Sequence, residues 1–134
     1  MIKPQDLCIG NYVYDGDRTK FPMYVQTIGE DYVYLNFEGN EGDVWESIPE
    51  DLEGIPLTEE LLEQIGFSFN GYGVWGKDQQ DRYISINISR EFVAIESYKD
   101  RLCDSRCTCH GVRFVHELQN LFWNITKQQL KVNL

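Results

Sequence analysis

Hydrophobic residues near the C-terminal end of the chain recur at the spacing of one helical face. Side chains three or four residues apart lie on the same side of a helix, and five apolar residues keep this spacing between positions 114 and 125. They are Val115, Leu118, Leu121, Phe122 and Ile125. The pattern predicts an amphipathic helix. His116 and Trp123 lie together on the opposite side of it, where the apolar stripe does not account for them.

The first half of the chain consists of short stretches rich in β-branched and aromatic residues, separated by turns that contain glycine. Such stretches predict strands. The predicted strands are residues 11–14, 23–28, 32–37 and 43–48. Strands at about ten-residue spacing form a meander that curls easily into a small closed barrel. Residues 7–13 resemble the first strand of SH3-like barrels, so we expect residues 1–48 to form a small SH3-like β-barrel or meander.

An acidic stretch with a proline at each end, residues 49–56, is the predicted connector to a second subdomain at residues 57–134. A short helix is predicted at the start of this subdomain. Thr58 is a suitable N-cap for it, Leu57 can pack against Leu62, and Gly66 is placed to end it.

The second subdomain continues with a predicted antiparallel meander. Its strands are expected at residues 67–69, 73–75, 82–88 and 92–98. Ile84, Ile86 and Ile88 alternate with polar residues, which is typical of a sheet with one buried face. Alternation at residues 129–134 predicts an added strand after the C-terminal helix. The predicted fold class is therefore α+β, with the two subdomains packed as one compact body.

Length and composition fit a globular protein. The chain has 134 residues, of which 42% are hydrophobic, and no apolar run approaches the roughly 20 residues that span a bilayer. Its first residues lack the charged and apolar regions of a secretory signal. A cytoplasmic location is the expectation, and the four cysteines are then expected to be reduced thiols.

The negative charge is concentrated in the N-terminal part of the chain. The net charge is −10; residues 1–56 hold 3 basic and 12 acidic residues, a net charge of −9, and the remainder carries −1. An acidic surface repels phosphate backbones, which argues against direct nucleic-acid binding by this part of the chain and leaves a basic protein open as the partner. The alternative interpretation is a solvated surface that keeps the protein in solution.

Three cysteines and a histidine crowd into one short segment: Cys103, Cys107, Cys109 and His110. Sulfur and imidazole donors of this kind can hold zinc tetrahedrally. The gaps of three residues and one residue differ from the two-residue gap of common zinc knuckles, so reduced thiols in a polar loop are the alternative. A cysteine nucleophile is a third reading, but Cys109 and His110 are adjacent in sequence and no third group is identified to orient them.

Two further sets of residues are candidates for partner binding. His116 and Trp123 form a patch opposite the apolar stripe, and this patch either packs on the N-terminal subdomain or is an exposed aromatic surface. Glu38, Glu41 and Asp43 lie in an acidic turn whose sequence does not match a calcium loop.

Four segments taken together carry a wider resemblance. They are residues 7–13, 55–62, 65–67 and 115–122. In this order they resemble a group of short, uncharacterised proteins from gut anaerobic bacteria, many of them carried on phages or other mobile elements. The resemblance implies no reaction, cofactor or assigned site, and the cysteine cluster lies outside the segments that carry it.

Three functional hypotheses follow from the sequence. The first is a non-enzymatic accessory protein of phage origin that binds another protein, one with a basic surface, and has no membrane association. The second is an acidic mimic of nucleic acid that inhibits a DNA-binding host protein. The third is a small metal-binding module that uses the segment from Cys103 to His110.

Overall fold

The computed structural model describes residues 2–16, 20–100, 102–132 and 134. These residues form an α+β fold with two antiparallel sheets and two helices, one of them near the C-terminal end, which confirms the predicted class. The first five strands are β1 (Tyr12–Asp15), β2 (Met23–Ile28), β3 (Val33–Asn36), β4 (Trp45–Ser47) and β5 (Leu52–Gly54). The other five are β6 (Ser68–Gly71), β7 (Val74–Gln79), β8 (Arg82–Asn87), β9 (Phe92–Lys99) and β10 (Leu102–His110).

The first sheet has the order β4-β3-β2-β1-β5 and contains the four strands that the sequence predicts in this half. Consecutive strands from β1 to β4 pair antiparallel, as in a meander, and β5 returns to pair with β1. The stretch predicted as a connector contains a 3-10 turn, Pro49–Asp51, followed by β5. In the described residues β4 and β5 are the two edges of the sheet. Its buried core consists of Ile2, Leu7, Val13, Met23, Val25, Val33, Leu35 and Leu52.

Helix α1 (Glu59–Gln64) begins and ends where the sequence predicts. The hydroxyl of Thr58 accepts a hydrogen bond from the backbone N–H of Leu61 at 3.2 Å, which caps the first turn. Gly66 follows the helix with a φ of 101°, a conformation that favours glycine. Leu62 and Ile65 are buried, so the packing of this face stabilises a helix too short to persist alone.

The second sheet has the order β10-β9-β8-β7-β6, with every neighbouring pair antiparallel. Ile84 and Ile86 of β8 lie opposite Ile95 and Val93 of β9, and all four are buried. One face of the sheet is therefore apolar, as the alternation predicts. The expectation of a polar loop at residues 103–110 is wrong, because this segment is β10, paired with β9 along its length.

Helix α2 (Val115–Thr126) corresponds to the predicted C-terminal helix. Val115, Leu118 and Phe122 of its predicted stripe are fully buried, while Leu121 and Ile125 are half-buried. Neither helix in the described part of the chain has the length and apolar character needed to cross a bilayer.

The chain divides into two compact units, and α2 contributes to both. Unit 1 contains Met1–Pro56, Phe114–Leu121 and Leu134, and unit 2 contains Leu57–Arg113 and Phe122–Asn133. In unit 1 the start of α2 is fixed to the end of β5. The backbone N–H of Val115 donates to the carbonyl oxygen of Ile55 at 2.9 Å. A Cβ atom at Gly54 would lie 2.6 Å from Cγ of Phe114, so a glycine is required for this close approach.

The prediction of a strand after the C-terminal helix is wrong for the described residues. The backbone of this segment is bound by side chains of β7 instead of by a ladder. Nε2 of Gln79 donates to the carbonyl oxygen of Gln129 at 3.1 Å, and Oε1 of Gln79 accepts from the N–H of Lys131 at 3.2 Å. The alternating apolar residues Leu130 and Val132 are nevertheless buried.

Candidate functional site

The four predicted zinc ligands all lie on β10, and the strand divides them between its two faces. Cys107 lies opposite Ile95 and Cys109 opposite Val93, so both thiols point to the apolar face of the sheet. A bulge between Cys103 and Ser105 reverses the alternation. Cys103 and His110 therefore point to the other face. In the described residues no group of three or more His, Cys, Asp or Glu side chains is placed to hold a metal ion.

Cys103 is not an activated nucleophile. Its Sγ lies 3.6 Å from Oε2 of Glu96. Desolvation, together with the neighbouring Glu96 carboxylate, raises the pKa of the Cys103 thiol. Because the thiolate is the reactive form, this environment opposes nucleophilic chemistry at neutral pH.

His116, a candidate for partner binding, is only 4% exposed. Its imidazole stacks on the ring of Phe114 with a centroid distance of 5.8 Å, and its Nδ1 has no hydrogen-bond partner among the described atoms. Desolvation lowers the pKa of His116, with Glu117 and Asp6 acting in the opposite direction. A partner cannot contact this side chain without opening the unit.

Trp123 lies on the same helix and is 44% exposed. It follows the fully buried Phe122 and precedes the exposed Asn124. An aromatic side chain with this exposure is available to a partner. His116 and Trp123 thus differ in exposure, although their helical spacing places them on similar sides.

Glu38, Glu41 and Asp43 lie in the loop between β3 and β4, and all three are exposed. Two asparagines hold this loop in place. Nδ2 of Asn40 donates to Oδ1 of Asn36 at 2.8 Å and to the carbonyl oxygen of Asp43 at 3.2 Å. The loop therefore presents its carboxylates from an ordered backbone.

Further contacts within this loop act in the same way. Oδ1 of Asn40 accepts from the N–H of Gly42 at 3.0 Å, and Oδ1 of Asn36 accepts from the N–H of Phe37 at 2.9 Å. Gly39 has a φ of 84° and open space around it. The asparagines thus provide the turn with side-chain partners for its backbone.

Trp45 directly follows this loop at the start of β4, and the sequence pattern predicts only a strand for it. It is 37% exposed, and its indole N–H donates to Oδ2 of the buried Asp15 at 2.6 Å. This bond fixes the orientation of the ring beside the acidic loop. The one signal in the sequence is an aromatic residue next to an acidic turn; the exposure of Trp45 follows from the place of β4 at the sheet edge.

Unit 2 also contains a shallow cavity of about 320 Å³. Its lining includes the apolar residues Leu57, Trp75 and Ile88 and the polar residues Glu59 and Ser89. None of the predicted site residues lies in it. The lining provides an apolar depression and no nucleophile paired with a base.

Comparison with known proteins adds no family assignment: no protein-family model, curated protein or solved structure matches this chain.

Proposed function

We propose that the protein is a non-enzymatic interaction module whose acidic loop and Trp45 bind a basic segment of another protein. The observation that carries this proposal is the ordered loop after β3, which places three exposed carboxylates directly before an oriented, exposed indole. A loop ordered before binding loses less conformational entropy when it binds. Tryptophan is enriched among the residues that contribute most to protein interfaces.

Charge supports the same choice of partner. The N-terminal part of the chain carries a net charge of −9, which accelerates the approach of a positively charged protein and slows that of nucleic acid. Trp123 on α2 is proposed as a second, separate contact. The exposure of Trp123 supports that role. His116 is buried and is not part of the proposed contact.

Two finer features belong to the same proposal. We assign the sheet of unit 1 to the SH3-like class on the resemblance of residues 7–13 and on its four-strand meander with β5 returning to β1. The origin on a phage or other mobile element and the cytoplasmic location rest on the sequence alone.

Neutralising the loop tests the proposed contact. A tagged protein with Glu38→Gln, Glu41→Gln and Asp43→Asn is compared with the wild type in pull-downs from host lysate, followed by mass spectrometry and titration of the recovered partner. Three exposed charges at roughly 0.5 kcal/mol each predict about tenfold weaker binding.

The matched control removes the same charge elsewhere, with Glu30→Gln, Glu50→Gln and Glu63→Gln, three exposed positions outside the loop. It is expected to retain the partner. Equal affinity of the loop variant and the wild type would disprove the proposed contact. Trp45→Ala, checked for folding by thermal unfolding, tests the aromatic part in the same titration.

An acidic mimic of nucleic acid is the second candidate, and the exposed carboxylates of unit 1 favour it. Such a mimic competes with DNA for the basic groove of its target, and its binding weakens steeply with salt. Competition with duplex DNA for the recovered partner separates the two candidates. Displacement by DNA supports the mimic, and simultaneous binding of DNA and this protein excludes it.

A further inference from the structure

β10 is the outermost strand of the sheet in unit 2 and has nine residues. Eight of them are exposed, and the ninth, Cys109, is half-buried. The outer backbone edge of such a strand can accept another strand, and proteins usually protect long edges with charges, prolines or bulges. The position of these protective features along β10 is therefore informative.

The protective features of β10 lie in its first half. The bulge is between Cys103 and Ser105, and the charged residues are Asp104 and Arg106. From Cys107 to His110 the pairing with β9 is regular, and no proline interrupts it. This second half is thus an edge without a bulge, suited to adding a strand.

The regular half also carries two thiols on one face. Cys107 and Cys109 are two residues apart and lie opposite the buried Ile95 and Val93. A tetrahedral zinc site requires four sulfur or nitrogen donors. Among the described residues of β10, Cys107 and Cys109 are the two cysteines on this face. A single copy therefore supplies two of the four donors that the zinc ion needs.

A second copy of the chain supplies the missing half. If two β10 strands pair antiparallel about a twofold axis at Thr108, Cys107 of each copy lies directly opposite Cys109 of the other. Opposite Cβ atoms in such a pair are about 5 Å apart, which lets the sulfurs converge on one ion at about 2.3 Å.

We propose that two copies of this chain pair through β10 and bind one zinc ion with Cys107 and Cys109 of each copy. Four thiols release their protons to solvent as four zinc–sulfur bonds form, and no electron is transferred. The strand pairing and the metal support each other, because the edge places the sulfurs and the ion holds the strands together. This site differs from the predicted set, since Cys103 and His110 point to the other face.

The test measures mass and metal together. Wild-type protein, kept reduced with a phosphine, is freed of metal and titrated with zinc while its mass is followed by light scattering. We expect the mass to double at one zinc per two chains and to return to that of one chain with a chelator. An unchanged mass on zinc addition, or a doubled mass that persists in chelator, overturns the proposal.

Variants of the thiols make the test specific. Cys107→Ser with Cys109→Ser is expected to lose the zinc-dependent doubling, whereas the control Cys8→Ser with Cys103→Ser, two exposed thiols outside the site, is expected to keep it. Thr108→Lys places two like charges opposite each other across the axis and is expected to weaken pairing by up to about fivefold with both thiols in place. Circular dichroism verifies the fold of each variant. Doubling retained in the Cys107/Cys109 variant disproves the site.

Discussion

Oε1 of Gln119 accepts a hydrogen bond from the backbone N–H of Tyr12 at 2.9 Å, across a separation of 107 residues. The same carboxamide donates through Nε2 to the carbonyl oxygen of Gly10 at 3.0 Å. Asn120 acts in parallel, accepting from Asn11 and donating to the carbonyl oxygen of Asp6, each at 2.8 Å. Two adjacent amide side chains of α2 thus bind the segment that leads into β1.

Gln119→Ala is expected to lower the free energy of unfolding by about 1–3 kcal/mol, because a half-buried backbone donor and acceptor lose their partners. Urea denaturation followed by circular dichroism measures the change. Asn124→Ala, at an exposed position of the same helix, is the control and should shift it by less than about 0.5 kcal/mol. Equal effects of the two substitutions would contradict this role of Gln119.

Stability should fall as the pH drops through the titration of His116. Burial lowers the pKa of His116 in the folded protein, while the unfolded chain titrates near the ordinary value of 6.5. Above this value both states hold a neutral imidazole. Below it the unfolded state binds a proton that the folded state does not, so the free energy of unfolding decreases until the folded pKa is passed.

Urea titrations between about pH 7.5 and 5.5 measure this dependence. His116→Phe preserves an aromatic ring beside Phe114 and is expected to flatten it. The control, His110→Phe at the other, exposed histidine, should leave the dependence in place. If His116→Phe left the pH dependence of the free energy of unfolding unchanged, other titratable groups would be its cause.

Gln79→Ala should release the segment after α2 from the second sheet. Gln79 is buried and binds the backbone of both Gln129 and Lys131, so its loss removes two hydrogen bonds at about 1 kcal/mol each. Faster amide exchange at Lys131 is the direct readout. Asp78→Ala, at the exposed neighbouring position, is expected to leave that exchange rate unchanged.

Phe122 and Trp123 are adjacent but should respond oppositely to truncation. Phe122 is fully buried, and Phe122→Ala is expected to cost about 3–5 kcal/mol through the cavity it creates. Trp123→Ala, at a 44% exposed side chain, should cost at most about 1 kcal/mol. Partner binding in the pull-down is the second readout for Trp123→Ala. A large loss of stability there would indicate a packing role.

The elements that the sequence predicts well are those with one buried face. Ile84 and Ile86 alternate with polar residues because only one side of β8 is covered, and Val115, Leu118 and Phe122 recur at helical spacing because one side of α2 is buried. Periodicity reports such a difference between faces directly. Both elements lie where the pattern places them.

β10 has no such difference, which is why the sequence does not reveal it. Most of its residues are exposed on both faces, so small polar residues and cysteines suit it, and backbone pairing with β9 defines the strand. The segment after α2 shows the opposite: its residues alternate as in a strand, but its described residues do not form one. Leu130 and Val132 alternate and are buried, yet Gln79 takes the backbone groups that a strand partner would bond.

His116 and Trp45 show that the sequence pattern does not predict whether a candidate site residue is buried or exposed. The helical pattern puts His116 on the polar side of α2, but the ring of Phe114 covers it. The exposure of Trp45 depends on the position of β4 at the sheet edge and on the bond to Asp15. Such long-range packing is not encoded in local periodicity.

The division of α2 between the two units has a consequence for synthesis. Unit 1 takes its strands from the first 56 residues and its helical part from Phe114–Leu121, so the whole second sheet is made in between. At about 5–20 residues per second, Gln119 is added roughly 5–20 s after Tyr12. During this interval the nascent β1 has no carboxamide to bind. Chains stalled on the ribosome at Arg113 should accordingly be cleaved by protease near β1 faster than chains that carry a C-terminal extension long enough to bring α2 out of the ribosome.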